Sequence, residues 1–191
     1  MEYILPSSFN NVSRETLLKL EEYQKMVLKK NRSINLFSSK DVHIFWERHI
    51  LDSIKSNEYI KGHKRVCDIG SGGGMPGIPL AIINSNIKFF LFERRDKKSD
   101  FLLNIKEELV LRNVFIVNAN FIDYKSEKYD LFLSRAVKLT DSILNHANLL
   151  SKGEKSLYIY YFGNNFDYNN INCKFKHRVD RKNKLLIFYL L

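Results

Sequence analysis

From residue 66 onward the sequence predicts an open, doubly wound α/β fold. Its sheet is mostly parallel, carries helices on both faces and ends in an antiparallel C-terminal hairpin. Three observations predict it. Short apolar runs alternate with segments of helical periodicity, the pattern of strand–helix–strand crossovers. Five of the chain's eight glycines fall between Gly70 and Gly77, directly after the first apolar run. The last 20 residues hold two apolar runs joined by Asp180-Arg181-Lys182-Asn183, a hairpin signal.

The elements follow in order. Ser13 predicts the N-cap of a helix reaching about Asn31, with Leu17, Leu20, Tyr23 and Val27 at helical spacing. A second helix is expected after Asp41, carrying Val42, Phe45, Trp46, Ile50 and Ile54, with Trp46 as core. Gly62 closes this front section. Residues 1–62 therefore read as a helical extension and residues 63–191 as the α/β domain, together one compact unit. Val66–Ile69 reads as a buried strand, and the glycine cluster leads into an apolar helix over Leu80–Ile83. Lys88–Phe92 is a second strand, and residues 97–111 a helix with Phe101, Leu102, Ile105 and Leu109 on one face. Val114–Val117 and Tyr129–Leu133 are the next strands. A helix over residues 141–150 precedes a strand at Leu157–Phe162. Cys173–Val179 and Leu185–Leu190 make the hairpin. Ligands of such sheets bind beyond the carboxyl ends of the strands.

Composition narrows the function classes. A chain of 191 residues predicts one domain with an ample core. The net charge is +10, and the last 41 residues carry eight basic against three acidic side chains. Such an excess fits a partner bearing phosphates, or a basic solvated surface alone. No apolar run reaches the roughly 18 residues of a membrane span, so no membrane partner is expected. The first 17 residues lack the basic head and apolar block of a secretory signal. Cys67 and Cys173 are too few for a disulfide framework, and no CxxC or His-Cys cluster marks a metal site. A cytoplasmic protein without a metal is expected.

What the glycines bind is the central question. A phosphate-binding loop would need Lys and a hydroxyl after the second glycine; after Gly72 and Gly77 stand Ile78 and Pro79, so that reading fails. A dinucleotide fingerprint can start only at Gly72, two residues late, and is the weaker match. The third pattern, Asp68-x-Gly70-x-Gly72-x-Gly74, resembles the S-adenosylmethionine loop of Rossmann-like methyltransferases. Glycines let such a loop pass close beneath a ligand, and Asp68 could orient both loop and ligand ammonium. Glu93, at the end of the second strand, has the place to accept bonds from two ribose hydroxyls, or else pairs with Arg94 or Arg95.

Further residues narrow the resemblance. The runs Glu47-Arg48-His49-Ile50-Leu51-Asp52-Ser53, Met75-Pro76-Gly77-Ile78-Pro79-Leu80 and Leu133-Ser134-Arg135-Ala136 are similar to those of the RsmG (GidB) family. Those are Rossmann-like class I methyltransferases that modify N7 of a guanine in small-subunit ribosomal RNA. Asn35-Leu36 and the Lys97-Lys98…Phe101-Leu102 helix fit the same family, and the likeness spans roughly residues 20–150. It implies cofactor contacts from Gly70, Gly72, Gly74, Met75 and Glu93, with adenine against Phe121 and Ile122. It implies that Arg135 faces both the methionine end and the target base as the catalytic residue. Arg48 and His49 would meet the RNA, although a helical Arg-His pair is as often structural. The implied cofactor is S-adenosyl-L-methionine, and the implied partner is 16S ribosomal RNA or the assembling small subunit, bound by a monomer. Two departures stand out: Phe37 replaces a Thr, and Phe162 replaces a Lys for which Lys155 or Lys174 could compensate.

The chemistry agrees with the residue types. Guanine N7 has an in-plane lone pair and no proton to lose, so methyl transfer needs alignment more than a base. Leu133–Ala136 lacks the Asn/Asp-Pro-Pro motif that orients an amine, and neither cysteine is near that strand to attack a pyrimidine. Arg135 can donate to guanine O6 or to the cofactor carboxylate. Two other classes stay open at this point: a non-catalytic RNA-binding protein on the same fold, and a nicotinamide oxidoreductase.

Overall fold

The structure is a computed structural model that describes residues 12–153, 155–167 and 173–191. Most of the stretch read against a secretory signal lies outside the described residues. A seven-stranded sheet has the order β3-β2-β1-β4-β5-β7-β6. The strands are β1 (Arg65–Ile69), β2 (Lys88–Phe92), β3 (Val114–Val117), β4 (Leu131–Arg135), β5 (Leu157–Tyr161), β6 (His177–Asp180) and β7 (Leu185–Tyr189). The first five run parallel, and β7 is antiparallel to both β5 and β6. The doubly wound sheet and its reversed edge are as the sequence predicts. Strand order reverses between β1 and β4, where such sheets open a crevice.

Period-two alternation builds two cores. Val66, Phe89, Leu91, Leu133, Ile159 and Ile187 point to one face; Cys67, Phe90, Phe92, Phe132, Tyr158 and Phe188 point to the other. The first face is covered by α1 (Arg14–Asn31), the short α2 (Asp52–Ile54) and α3 (Asn57–Ile60), α4 (Gly77–Ile83) and α5 (Asp96–Glu108). The second is covered by α6 (Asp141–Leu149), with an aromatic cluster of Phe92, Phe121, Tyr129 and Phe132 beneath it. Ser13 caps α1 by accepting from Thr16 N at 3.2 Å, and Leu20, Tyr23 and Val27 are fully buried. The front section thus shares one apolar core with the sheet.

The helix expected after Asp41 is instead three pieces. A 3₁₀ turn spans Ser39–Ile44, a π turn spans Trp46–Leu51, and α2 follows. Val42 and Ile44 are exposed, whereas Phe45, Trp46, His49 and Ile50 turn inward. Within six residues this segment buries four large side chains, Phe45, Trp46, His49 and Ile50. The other shifts are smaller. α4 begins at Gly77, so Pro79 lies in its first turn, where its missing N–H costs no helical bond. β4 runs two residues later than expected, because Tyr129 bridges to Ser151 rather than extending the strand. β6 starts only at His177, and the turn beyond it is closed by Asp180, whose side chain accepts from Asn183 N.

β5 and α2 are joined through Tyr161. Its hydroxyl donates to Ser53 O at 2.6 Å and meets Ser56 Oγ at 2.5 Å, all buried. Tyr161→Phe leaves these two oxygens without that partner and should lower unfolding free energy by about 1–2 kcal/mol. Urea titration checks this: the midpoint falls while the slope stays constant.

Candidate active site

At the carboxyl ends of β1, β2 and β4 lies a cavity of about 630 Å³, within the range of small-molecule and cofactor sites. Its floor is the glycine turn, which three groups hold from different directions. Glu93 Oε2 accepts from Gly72 N at 3.0 Å, Tyr23 donates to Gly73 O at 2.9 Å, and Asp68 Oδ2 accepts from Gly77 N at 3.1 Å. Ser71 Oγ donates to the Asp68 carbonyl, and Ser71 N to the Phe92 carbonyl.

Two glycines show what the turn requires. Gly70 has φ +70°, and an added Cβ would lie 2.6 Å from Val137 Cγ2 across the cavity floor. Gly74 has φ +98°, and its Cβ would meet Ile78 Cγ1 at 2.6 Å. Gly74 does not line the cavity; it faces α1 and α5, with Tyr23 and Leu102 beside it. Gly70, Gly72 and Met75 do line it, together with Gly73, which the sequence reading passes over.

Glu93 is buried at the cavity wall, and its Oε1 accepts from Arg95 N at 2.9 Å. The pairing is with main-chain N–H groups, which leaves lone pairs on both oxygens for further donors. Phe121 and Ile122 form a 3₁₀ turn (Phe121–Asp123) at the far wall, Phe121 buried and Ile122 exposed. Asp68 lies beneath the floor, fully buried and off the cavity, so it orients the loop but does not reach a ligand's ammonium. Burial pushes its carboxyl up to about 7, against the Ser71 side chain and the Gly77 N–H, which pull it down.

Arg135 is the last residue of β4 and lines the opposite wall. Its Nη2 donates to Arg48 O at 2.9 Å and to His49 Nδ1 at 3.0 Å, and its Nη1 lies 3.5 Å from Asp52 Oδ2. His49 Nε2 is 3.2 Å from Asp41 Oδ2, and Arg48 Nε is 3.3 Å from the same oxygen. His49 is buried with both ring nitrogens engaged, whereas the Arg48 side chain is 59% exposed at the mouth. Burial, then the Arg135 charge, lower the His49 pKa to about 4, against the pull of Asp41. The 3₁₀ and π turns contribute Asp41 and His49, which no periodicity analysis could bring together.

Lys155 and Lys174 do not stand in for the Lys absent at Phe162. Lys155 precedes β5 and Lys174 precedes β6, at the sheet end away from the cavity. Phe162 itself stacks on Phe166, and its N–H donates to Lys184 O at 3.1 Å. Cys67 is fully buried in β1 with its thiol pushed up by burial, and neither cysteine lines the cavity. Among the described residues no group of three His, Cys, Asp or Glu could hold a metal, and no helix is long and apolar enough to cross a membrane.

The two perturbed acids act oppositely on stability. His49 binds its proton less readily folded than unfolded, so its contribution is complete above pH ~6.5 and is lost as pH falls through about 4. Asp68 is the reverse: its contribution is complete below pH ~4 and is lost as pH rises through about 7. Thermal unfolding should therefore show Asp68→Asn gaining relative to wild type between pH 4 and 7. Over the same interval His49→Phe should lose less than wild type as the solution is acidified.

Comparison with known proteins agrees with this geometry. The fold resembles a putative caffeoyl-CoA O-methyltransferase from Staphylococcus aureus (TM-score 0.58, 17% identity), covering 88% of this chain and 99% of that one. It also resembles a mutant of MtNAS in complex with S-adenosylmethionine (TM-score 0.59, 13% identity), covering 97% and 80%. At those identities the likeness is of fold. Sequence relatives are nearer. The ribosomal RNA small subunit methyltransferase G of Helicobacter pylori is 35% identical over 156 residues, 81% of this chain and 86% of its own. Its namesake in Orientia tsutsugamushi is 36% identical over 177 residues, 88% and 85%. That of Brachyspira hyodysenteriae is 36% identical over 142 residues, 74% and 69%. With residues 16–182 matching GidB, described as rRNA small subunit methyltransferase G, the chain belongs to that family and is an S-adenosylmethionine-dependent methyltransferase.

Proposed function

We propose that this enzyme methylates N7 of a guanine in 16S ribosomal RNA, free or in the assembling small subunit. The observation that carries the reading is one cavity that joins a glycine floor, a buried carboxylate at the end of β2 and an arginine at the end of β4. S-adenosylmethionine supplies a methyl group already activated on a sulfonium. The residues fit it: a Cβ at Gly72 would meet only Gly70 O, at 3.8 Å, so that glycine leaves open space on the cavity floor, and Glu93 keeps free lone pairs for two hydroxyl donors. Phe121 and Ile122 offer an apolar wall for a purine, and Gly72 and Met75 line the path between floor and wall. Gly74 acts one step removed, by letting α4 and α5 close against the loop.

Arg135 is the group we assign to catalysis. At the end of β4 its guanidinium can donate to a base carbonyl or to the amino-acid carboxylate, holding acceptor and methyl in line. No side chain has to take a proton from N7. Arg48, exposed at the mouth, is assigned to the RNA backbone. His49 lines the cavity but has no free ring nitrogen, so its part is indirect. We further propose that residues 1–62 serve as an extension of the methyltransferase domain (63–191), and that the protein acts as a cytoplasmic monomer.

The test is radiolabelled methyl transfer to 16S RNA and to small subunits, followed by mass spectrometry of the modified base. Guanine methylated elsewhere than N7, or no transfer to either substrate, overturns the reading. Glu93→Ala should weaken S-adenosylhomocysteine binding about 10-fold or more, because two hydroxyls lose a charged acceptor worth roughly 1.5–3 kcal/mol. Calorimetry measures it.

A further inference from the structure

We propose that Asp41 and His49 form a tautomer lock that positions Arg135 for methyl transfer. This rests on Arg135 being the group that faces the reacting atoms.

A guanidinium only donates, so the 3.0 Å contact between Arg135 Nη2 and His49 Nδ1 requires a bare lone pair on Nδ1. A neutral imidazole then carries its proton on Nε2, which points at Asp41 Oδ2, 3.2 Å away. The other tautomer would set an N–H against the guanidinium and leave the carboxylate facing a lone pair. Asp41 thus selects the one ring state that can hold Arg135, the logic by which a second hydrogen bond fixes an imidazole's active nitrogen. Three further features fit this role. The ring is buried and packed against both Phe37 and Phe45, with centroids 5.2 and 4.9 Å away, which restricts its flipping. The π turn leaves Arg48 O available to the same Nη2, at 2.9 Å. Asp52 approaches Nη1 from the far side at 3.5 Å. The guanidinium is hydrogen-bonded at Nη2 by two groups and faces an ion-pair partner at Nη1, all on the segment from Arg48 to Asp52 that the N-terminal extension supplies.

His49 is therefore a positioning residue. Two arms test it. In ring-nitrogen NMR of the wild-type protein at pH 7, His49 should appear as the single Nε2–H tautomer. An Nδ1–H or doubly protonated ring overturns the proposal. Asp41→Ala, which leaves the ring in place, should give a mixture of tautomers, and an unchanged spectrum also overturns it. In turnover, His49→Phe keeps the aromatic packing but loses Nδ1. Its kcat should fall about ten- to a hundred-fold, the scale of a misplaced reacting group, with the far-UV circular dichroism spectrum of the folded protein retained at the assay temperature. His49→Asn, whose amide oxygen can occupy the Nδ1 position, should restore most of the rate, and His49→Gln, whose amide reaches only the Nε2 position, should not. Full activity in His49→Phe, or no rescue by His49→Asn, defeats the lock. Wild-type inactivity on RNA would strike the methyltransferase reading instead, because the NMR arm reads the tautomer without turnover.

Discussion

The turn from Gly70 to Gly77 hydrogen-bonds itself only in part, through Gly74 N and Met75 N to Ser71 O, and the rest of the site depends on how its remaining groups are matched. Seven residues with no regular structure carry main-chain N–H and carbonyl groups that must be satisfied from outside once water is excluded. Glu93 from β2 takes Gly72 N, Tyr23 from α1 gives to Gly73 O, and Asp68 from β1 takes Gly77 N. Each of the three polar side chains is itself buried, so each bond is made where leaving a partner unmatched is expensive. The same contacts that settle the loop also place a carboxylate at the cavity wall and pull α1 onto the sheet. Floor, wall and extension are one hydrogen-bonded unit.

That unit explains why the N-terminal extension is part of the site. Tyr23 is fully buried fifty residues away in sequence from the glycine it serves, and Leu36 Cβ would lie 3.3 Å from a Cβ added at Gly73. Asn31 Oδ1 accepts from both Leu36 N and Phe37 N, which folds the chain back over the loop at the end of α1. Farther along, Arg48 O, His49 Nδ1 and Asp52 Oδ2 from this same extension face the Arg135 guanidinium. The sheet therefore provides the strand ends, and the extension decides where the side chains on those ends point.

The sequence made the sheet legible because burial on two faces leaves unmistakable apolar runs. Lys88–Phe92 and Val114–Val117 end where they were read to end. The cofactor-side residues were also legible, since a glycine turn at the first strand and a carboxylate at the second follow from topology. What escaped had specific physical causes. The 3₁₀ and π turns change the residue spacing, so the apolar pattern after Asp41 looked like one helix and Val42 appeared to face inward. Gly74 looked like its neighbours because a glycine needed for helix packing is indistinguishable from one needed for a ligand. Lys155 and Lys174 were plausible by charge alone, but both precede strands that run in the direction of the parallel sheet, β5 and β6, and so lie at the end opposite the cavity. Pairing of Asp41 with His49 needed coordinates, as it depends on two irregular turns meeting.

The charge distribution of the cavity then follows the depth of its parts. Deep in the site stand Glu93 and, beneath the floor, Asp68; at the opening stand Arg48, Arg94, Arg95 and the half-exposed Lys98. A positively charged methyl donor is favoured where carboxylates are fixed in low dielectric, and a phosphate chain where exposed cations gather. Arg135 lies between the two zones, and its charge is offset by Asp52 and, through His49, by Asp41. Such partial neutralisation lowers the net positive charge on that wall of the cavity. The cavity thus runs from a buried carboxylate at one wall to a cationic rim, with the tethered Arg135 at the boundary.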